Sequence, residues 1–251
     1  MTALDDLAAI PFHDADAGLR ARMLSRLADT ELSVALTHEP AGDRIELRMF
    51  QLEHGPVALA CDAEDRLAGF FDGPVAYAAL PGRVLAGLLR AEGAGLLVNP
   101  GQRSEMLLDA AMLDWLSSAL SAAPQAAEAR LRLTGPAPDT VAALAEPLAA
   151  RLADMRGLIA GGWLAGVRGG EGEGDGGVTG HVLVIAGAAP DHHDRIAKAL
   201  SETLAFLPPQ PGGVDISFSD AAPCPGAVRF DAEPIPAAPP PDRPKGPPIL
   251  R

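Results

Sequence analysis

The densest group of side chains able to do chemistry is the run Asp191-His192-His193-Asp194. A metal centre or an acid–base pair needs two or more such groups converging on one point. The run lies at the predicted start of a helix, where residues 192 and 193 point about 100° apart. Acidic residues in a first turn also interact favourably with the helix dipole. The pattern therefore favours helix capping over a hydrolase-like site, which becomes our third hypothesis for function.

Other reactive residue types are isolated from one another. Asp16 is predicted to cap the next helix rather than to bind a metal together with His13. Cys61 alternates in register with apolar residues, so it should face the core as a small hydrophobe. Cys224 lies between two prolines with no base nearby. Neither cysteine has the electropositive surroundings of a nucleophile.

One glycine-rich run, residues 169–177, contains a GxGxxG-like string. A phosphate-binding loop of this kind follows a strand and opens a helix. Here a strand follows the run and three acidic residues lie within it, so a hairpin loop is predicted. We expect no catalytic, cofactor-binding or metal-binding residues, and therefore no enzymatic activity.

Composition excludes several classes of partner. The chain has 251 residues, with 33 acidic and 20 basic side chains and a net charge of −13. Nucleic acids and anionic membranes attract a basic surface, so neither is expected as a partner. No apolar run approaches the roughly 20 residues that span a bilayer. Two cysteines are too few for a disulfide framework. So low a cysteine content is typical of a protein of the reducing cytoplasm.

The first predicted domain, residues 1–123, alternates helix and strand patterns and is assigned to a mixed α/β domain. Residues 19, 23 and 27 recur at helical spacing, and residues 45–61 contain two alternating strands joined by a hairpin turn. Asp109 is predicted to cap the last helix. Two turns interrupt the pattern: Pro81-Gly82-Arg83 at the start of a helix, and Asn99-Pro100-Gly101, with the chemistry of a type II turn.

The second predicted domain, residues 124–230, has the order β-α-β-β-α-β. This order is typical of ferredoxin-like domains, so the whole chain is assigned to the α+β class. Asp139 is predicted to cap its first helix, and Pro147 should kink that helix or divide it in two. Residues 231–251 contain eight prolines and are predicted to form an extended tail, either solvated or a docking peptide.

Several short segments resemble the SseB-type family, whose name comes from enhanced serine sensitivity. The segments that carry the resemblance over residues 4–120 are Leu27-Ala28-Asp29-Thr30-Glu31-Leu32, Ala76-Tyr77-Ala78-Ala79-Leu80-Pro81-Gly82-Arg83, Leu96-Leu97-Val98-Asn99-Pro100-Gly101 and Leu113-Asp114-Trp115-Leu116. Residues 213–218 are similar to the C-terminal domain of two-domain members. The resemblance implies a bacterial cytoplasmic protein without established enzymatic activity, a phenotypic link to serine, and no catalytic residues to transfer.

Our leading hypothesis is a non-enzymatic, two-domain protein that acts through contacts with an unknown protein partner or through regulation. The binding edge is predicted at the two turns, which comprise Pro81, Gly82, Arg83, Asn99, Pro100 and Gly101. The second hypothesis is a regulatory domain that binds a small ligand such as an amino acid. By analogy with amino-acid-binding ferredoxin-like domains, that ligand would lie at residues 134–139.

Overall fold

The computed structural model describes residues 1–40, 45–53, 55–124, 132–168 and 178–231. The described residues form two β-sheets, each with its own helices. The elements of the first part of the chain are α1 (Ala3–Leu7), α2 (Ala17–Asp29), β1 (Glu31–Ala35), β2 (Met49–Leu52), β3 (Gly55–Cys61), α3 (Glu64–Phe70), β4 (Tyr77–Pro81), α4 (Gly82–Ala91), β5 (Gly95–Val98), β6 (Met106–Leu108) and α5 (Ala110–Leu120).

The first sheet has the strand order β4-β1-β3-β5-β6, and β2 also pairs with β3. Strands β3 and β5 are parallel, whereas the other pairs are antiparallel. One face of the sheet is buried together with α2, α4 and α5, and the other face contacts the short helix α3 through Leu67. Because successive side chains of a strand point to opposite faces, the same strands contribute to both clusters.

Helix starts in this domain follow the predicted capping chemistry. Asp16 accepts a hydrogen bond from the backbone N–H of Leu19 at 2.8 Å, and Asp109 accepts one from Met112 at 2.8 Å. Both predicted caps are confirmed. Pro81 is the N-cap residue of α4, one position before its predicted place.

The second part of the chain forms a five-stranded sheet with two long helices. Its elements are β7 (Arg132–Thr134), α6 (Pro138–Asp154), β8 (Gly161–Arg168), β9 (Val178–Ala186), a 3₁₀ turn (Pro190–His192), α7 (His193–Ala205), β10 (Val214–Phe218) and β11 (Val228–Asp231). The strand order is β10-β9-β8-β11, with β7 also paired to β8. Strand β10 runs parallel to β9, and β7 is antiparallel to β8.

The ferredoxin-like strand order predicted for this domain is wrong, although the α+β class is confirmed. A ferredoxin-like sheet would place β7 in the centre, beside β9. Here β7 has three residues and pairs only with β8, because such a short, mostly exposed strand cannot fill a central position. The centre belongs to β8 and β9, which are buried on both faces over most of their length.

Details of the helices in the second domain also differ from prediction. Helix α6 starts at Pro138, with Asp139 in its first turn rather than at the cap, because proline suits the first helical position. The helix continues through Pro147 as one element. Asp191 and Asp194 lie in first turns, but neither side chain makes a capping hydrogen bond. The Gly-rich run 169–177 and all but the first residue of the tail 231–251 lie outside the described residues.

One aromatic side chain of the second domain belongs to the core of the first. Phe206, just after α7, is 5% exposed and packs in the cluster that contains Leu24, Leu113 and Leu116. Helices α5 and α7 lie in contact. The Lys198 ammonium donates to the backbone carbonyls of Leu120 and Ala122, each at 2.6 Å. The two domains are therefore joined by a packed interface between α5 and the region of α7.

Candidate binding cleft between the domains

The Asp191–Asp194 run does not assemble into a site. The His193 ring stacks on Phe218, with centroids 3.9 Å apart, and its Nε2 donates to the carbonyl of Ala188 at 3.2 Å. No hydrogen bond or ion pair in the described chain joins His192, His193 and Asp194. Across the same described residues, no group of three His, Cys, Asp or Glu side chains is arranged to hold a metal ion.

The remaining candidate residues also have internal roles. Cys61 is 1% exposed, as its register predicts, and burial raises the pKa of its thiol to about 11. The Cys224 thiol lies 3.6 Å from the carbonyl of Thr134, to which it donates. In the loop named for an amino-acid ligand, the Ala137 N–H donates to His181 Nε2 at 3.3 Å. Burial lowers the pKa of His181.

The two predicted turns lie at the same end of the first sheet. Pro81 pairs with Glu31 at the start of β1, and Val98 pairs with Ala60 near the end of β3. Strands β1 and β3 separate the two turns, so the turns are about 14 Å apart at the usual spacing between strands. The structure thus brings both turns to the same end of the sheet. That a partner binds there stays a prediction.

At the first turn, the sequence is explained by close packing. The Gly82 N–H donates to the carbonyl of Thr30 at 2.8 Å, and a Cβ at Gly82 would clash with the carbonyl of Leu27. Pro81 is exposed, whereas Gly82 is buried. Arg83 turns towards the second domain, where its guanidinium binds the carboxylate of Glu202.

The second turn is a type II turn, as predicted. Gln102 N–H donates to the carbonyl of Asn99 at 3.0 Å, and Gly101 has a φ of +73°. Asn99 is fully buried and has a φ of +49°, in the left-handed region. Its side chain accepts from the Asp62 N–H and donates to Ser104 Oγ, both at 3.0 Å. Pro100 is partly exposed and Gly101 exposed.

Beside Asn99 lies a buried ionic cluster, which we call the α1 cluster. Its members are Thr2, Asp5, Asp62, Arg66 and Ser104. The Arg66 guanidinium makes two hydrogen bonds to Asp5 and one, at 3.0 Å, to Asp62. Because Arg66 and Ser104 both donate to it, the Asp5 carboxyl has a pKa well below its usual range. The cluster attaches the first helix to the end of β3.

A second ionic cluster, the interface cluster, joins the two domains. It consists of Asp29, Arg83, Arg151, Lys198 and Glu202. Arg83 reaches both Asp29 and Glu202, Arg151 lies 2.8 Å from Asp29, and Lys198 lies 3.1 Å from Glu202. Two further pairs, Arg22–Glu146 and Arg26–Asp154, cross the same interface at 2.8 and 3.6 Å.

Next to this interface is an open cleft with a volume of about 500 Å³. Its described lining comes from α2, α5 and the end of α7: Ala17, Gly18, Arg20, Ala21, Leu24, Met112, Trp115, Ala205, Phe206, Leu207 and Pro208. Ligand-binding pockets typically have 300–1,000 Å³ and a mainly apolar lining. We refer to this space as the inter-domain cleft.

Two aromatic rings in contact line the inter-domain cleft. Trp115 packs edge-to-face on Phe206, with centroids 5.4 Å apart and planes at 76°. The Phe206 ring is buried, whereas Trp115 is 45% exposed. An indole left half-exposed at the junction of two domains offers a large apolar contact area with one hydrogen-bond donor.

Sequence reasoning missed this cleft because its walls come from three distant segments of the chain, residues 17–24, 112–115 and 205–208. One signal was present: Trp115 lies on α5 outside the apolar stripe of Leu113, Leu116 and Leu120. Tryptophan is enriched at interfaces, so its position there favours a contact with a partner or another domain. No pattern in the sequence indicates that Phe206 is its neighbour.

The described residues form an α+β protein in which an open apolar cleft lies between helices of its two parts. Residues 7–115 match the family model described as SseB protein N-terminal domain. Over these residues the first domain is similar to SseB N-terminal domains, as the sequence resemblance predicted. No curated protein and no solved structure matches the chain.

The family match ends at residue 115, so the likeness of the second domain to SseB C-terminal domains stays a prediction. Within the described part of the chain, every helix is too short or too polar to cross a membrane.

Proposed function

We propose that this protein is non-enzymatic and binds a partner protein in the inter-domain cleft. The observation that carries the proposal is the half-exposed Trp115, seated on Phe206 in an open apolar space of about 500 Å³. Tryptophan is enriched among the few residues that dominate binding energy at protein interfaces.

The lining of the cleft supports a protein partner over a free amino acid. An amino acid brings an ammonium and a carboxylate, each of which needs a charged or hydrogen-bonding group. Among the described lining residues, Arg20 alone is charged, and it cannot pair with an ammonium. The ferredoxin-like order from which the amino-acid hypothesis was drawn is also absent from the described sheet.

The proposal assigns different tasks to the two domains. The first contributes the tryptophan on α5 and the wall formed by α2. The second closes the cleft with residues 205–208 at the end of α7. Binding at such a junction would depend on both domains being present, and ion pairs join the two.

Site-specific photo-crosslinking tests the proposal. A benzophenone amino acid replaces Trp115 in cells of the native host, and products are identified by mass spectrometry. Leu158, 46% exposed in the second domain, carries the same group as a control. We expect a defined polypeptide to be attached at position 115 and absent at 158, and its purified form to lose binding to the Trp115→Glu variant. The same products at both positions, or none at 115, would refute the proposal.

A further inference from the structure

Three arginines on α2 face the second domain or the cleft, and they differ in their partners. Arg22 pairs with Glu146 and Arg26 with Asp154, both across the domain interface. Arg20 lines the cleft and forms no ion pair within the described part of the chain. The cleft therefore offers one guanidinium beside its apolar surface.

We propose that the inter-domain cleft selects an apolar segment of a partner protein that carries an acidic side chain. The segment places its apolar side chains against Trp115 and Phe206, and its carboxylate binds Arg20. This inference rests on the proposed function and adds the chemistry of the partner to it.

The net charge of the chain opposes the binding of an acidic segment, so the preference for one must come from the cleft itself. A chain with a net charge of −13 attracts basic peptides at long range and repels acidic ones. Arg20 supplies a positive charge at the cleft itself, where a guanidinium can form two parallel hydrogen bonds to a carboxylate with defined geometry. Electrostatic complementarity of this kind contributes more to specificity than to raw affinity.

The apolar part of the cleft tolerates variation in the segment that it binds. Met112, on the same wall as Trp115, is flexible and polarizable, so it adapts to apolar side chains of different shape. The described lining is otherwise mostly alanine, leucine and proline, which provide contact area without directional bonds. The fixed elements of recognition are therefore the two rings and the guanidinium.

A matched pair of peptides tests the inference. One amphipathic peptide is synthesised in two forms, with glutamate or with lysine flanking the same leucine-rich face. The full chain carries Trp163→Phe, so that Trp115 is the single remaining indole of the two in the sequence. Titration of Trp115 fluorescence measures the affinity of each peptide.

We expect the glutamate peptide to bind at least about tenfold more tightly than the lysine peptide, against the net charge of the chain. Arg20→Glu should reverse the preference, and Arg20→Gln should abolish it. Arg195→Glu makes the same change in net charge at an exposed position of α7, about 16 Å along the helix axis from Phe206, and should change neither affinity.

Equal binding of both peptides, unchanged by Arg20→Glu, would overturn the inference and leave the proposed function standing. The inference would also be overturned if the chain with Arg20 unchanged bound the lysine peptide more tightly than the glutamate peptide. It would be overturned as well if that chain bound neither peptide. The crosslink at position 115 is measured without these peptides, so it decides the proposed function separately.

Discussion

Two arginines of this protein make the same set of hydrogen bonds to carboxylates, two to one carboxylate and one to another, in different surroundings. Arg66 binds Asp5 with two hydrogen bonds and Asp62 with one. Arg83 binds Glu202 with two and Asp29 with one. The Arg66 side chain is 14% exposed and lies within one domain, whereas Arg83 is 36% exposed and joins two.

The neighbours of the two arginines differ as well. In the α1 cluster one cation faces two carboxylates whose side chains are 3% and 1% exposed. In the interface cluster two further cations, Arg151 and Lys198, share the carboxylates with Arg83. Removing one arginine therefore leaves buried charges without a cation in the first case, but not in the second.

The largest difference should follow the replacement of Arg66. Arg66→Met leaves the carboxylates of Asp5 and Asp62 buried without their cation, and removing one partner of a buried ion pair costs about 3–5 kcal/mol. Urea unfolding followed by Trp115 fluorescence in the Trp163→Phe background measures this cost. A loss below about 1 kcal/mol would show that water reaches the α1 cluster.

Acid should weaken the first domain through Asp5. The folded-state pKa of Asp5 is lowered, chiefly by the hydrogen bond from Arg66, so its contribution is complete at neutral pH. That contribution decreases as the pH falls below about 5, where the unfolded chain takes up the proton first. We expect Asp5→Asn to cost about 1.5–3 kcal/mol at pH 7, the range for hydrogen bonds to charged groups, and to flatten the stability profile below pH about 5.

Urea unfolding at a series of pH values checks this profile, and Asp6→Asn, on the exposed side of α1, is the control. Parallel profiles for the unmodified chain and Asp5→Asn would contradict the assignment.

The matching replacement at the domain interface should have a smaller effect. Arg83→Met leaves Glu202 paired with Lys198 and Asp29 paired with Arg151. Exposed and partly exposed ion pairs contribute about 0–1 kcal/mol, so we expect a loss of that order. The loss should shrink further in about 1 M salt, where charges are screened beyond about 3 Å. A loss equal to that of Arg66→Met in the same urea assay would remove the distinction between the two clusters.

The smallest effect is expected at His181 in the second domain. Burial lowers its folded-state pKa, so the unfolded chain binds a proton more readily as the pH falls through about 6.5. Stability of the second domain should therefore be complete above that pH and decrease below it. His181→Gln removes the titration and keeps an acceptor for Ala137 N–H; at pH 7 we expect a change below about 1 kcal/mol.

Trp163 fluorescence in the Trp115→Phe background reports the second domain, because each domain contains one of the two tryptophans. A pH profile between about 5 and 7.5 that is identical for the unmodified chain and His181→Gln would exclude His181 as the source.

Local features of the fold could be predicted from the sequence wherever nearby residues decide them. Each of these features depends on residues within three positions of one another. Examples are the helix caps at Asp16 and Asp109 and the type II turn that begins at Asn99. The core position of Cys61 followed from alternation along one strand. Four short elements were missed, α1, α3, β6 and β11, which have three to seven residues each.

Features that join distant parts of the chain could not be predicted. The order of strands in the second sheet depends on whether three residues, Arg132–Thr134, can form a central strand, and the element order alone does not decide that. The inter-domain cleft combines residues 17–24, 112–115 and 205–208. The buried partner of Arg66 lies 61 positions earlier, at Asp5.

The position of Phe206 matters for any fragment of the protein that ends at the domain boundary near residue 124. The ring fills space in the core of the first domain but is encoded after α7. A fragment ending at residue 124 would lack this plug, and the uncovered surface around Leu24, Leu116 and Trp115 would favour self-association. The packed core of the first domain thus extends beyond residues 7–115, the segment matched by the family model, because the second domain supplies one of its side chains.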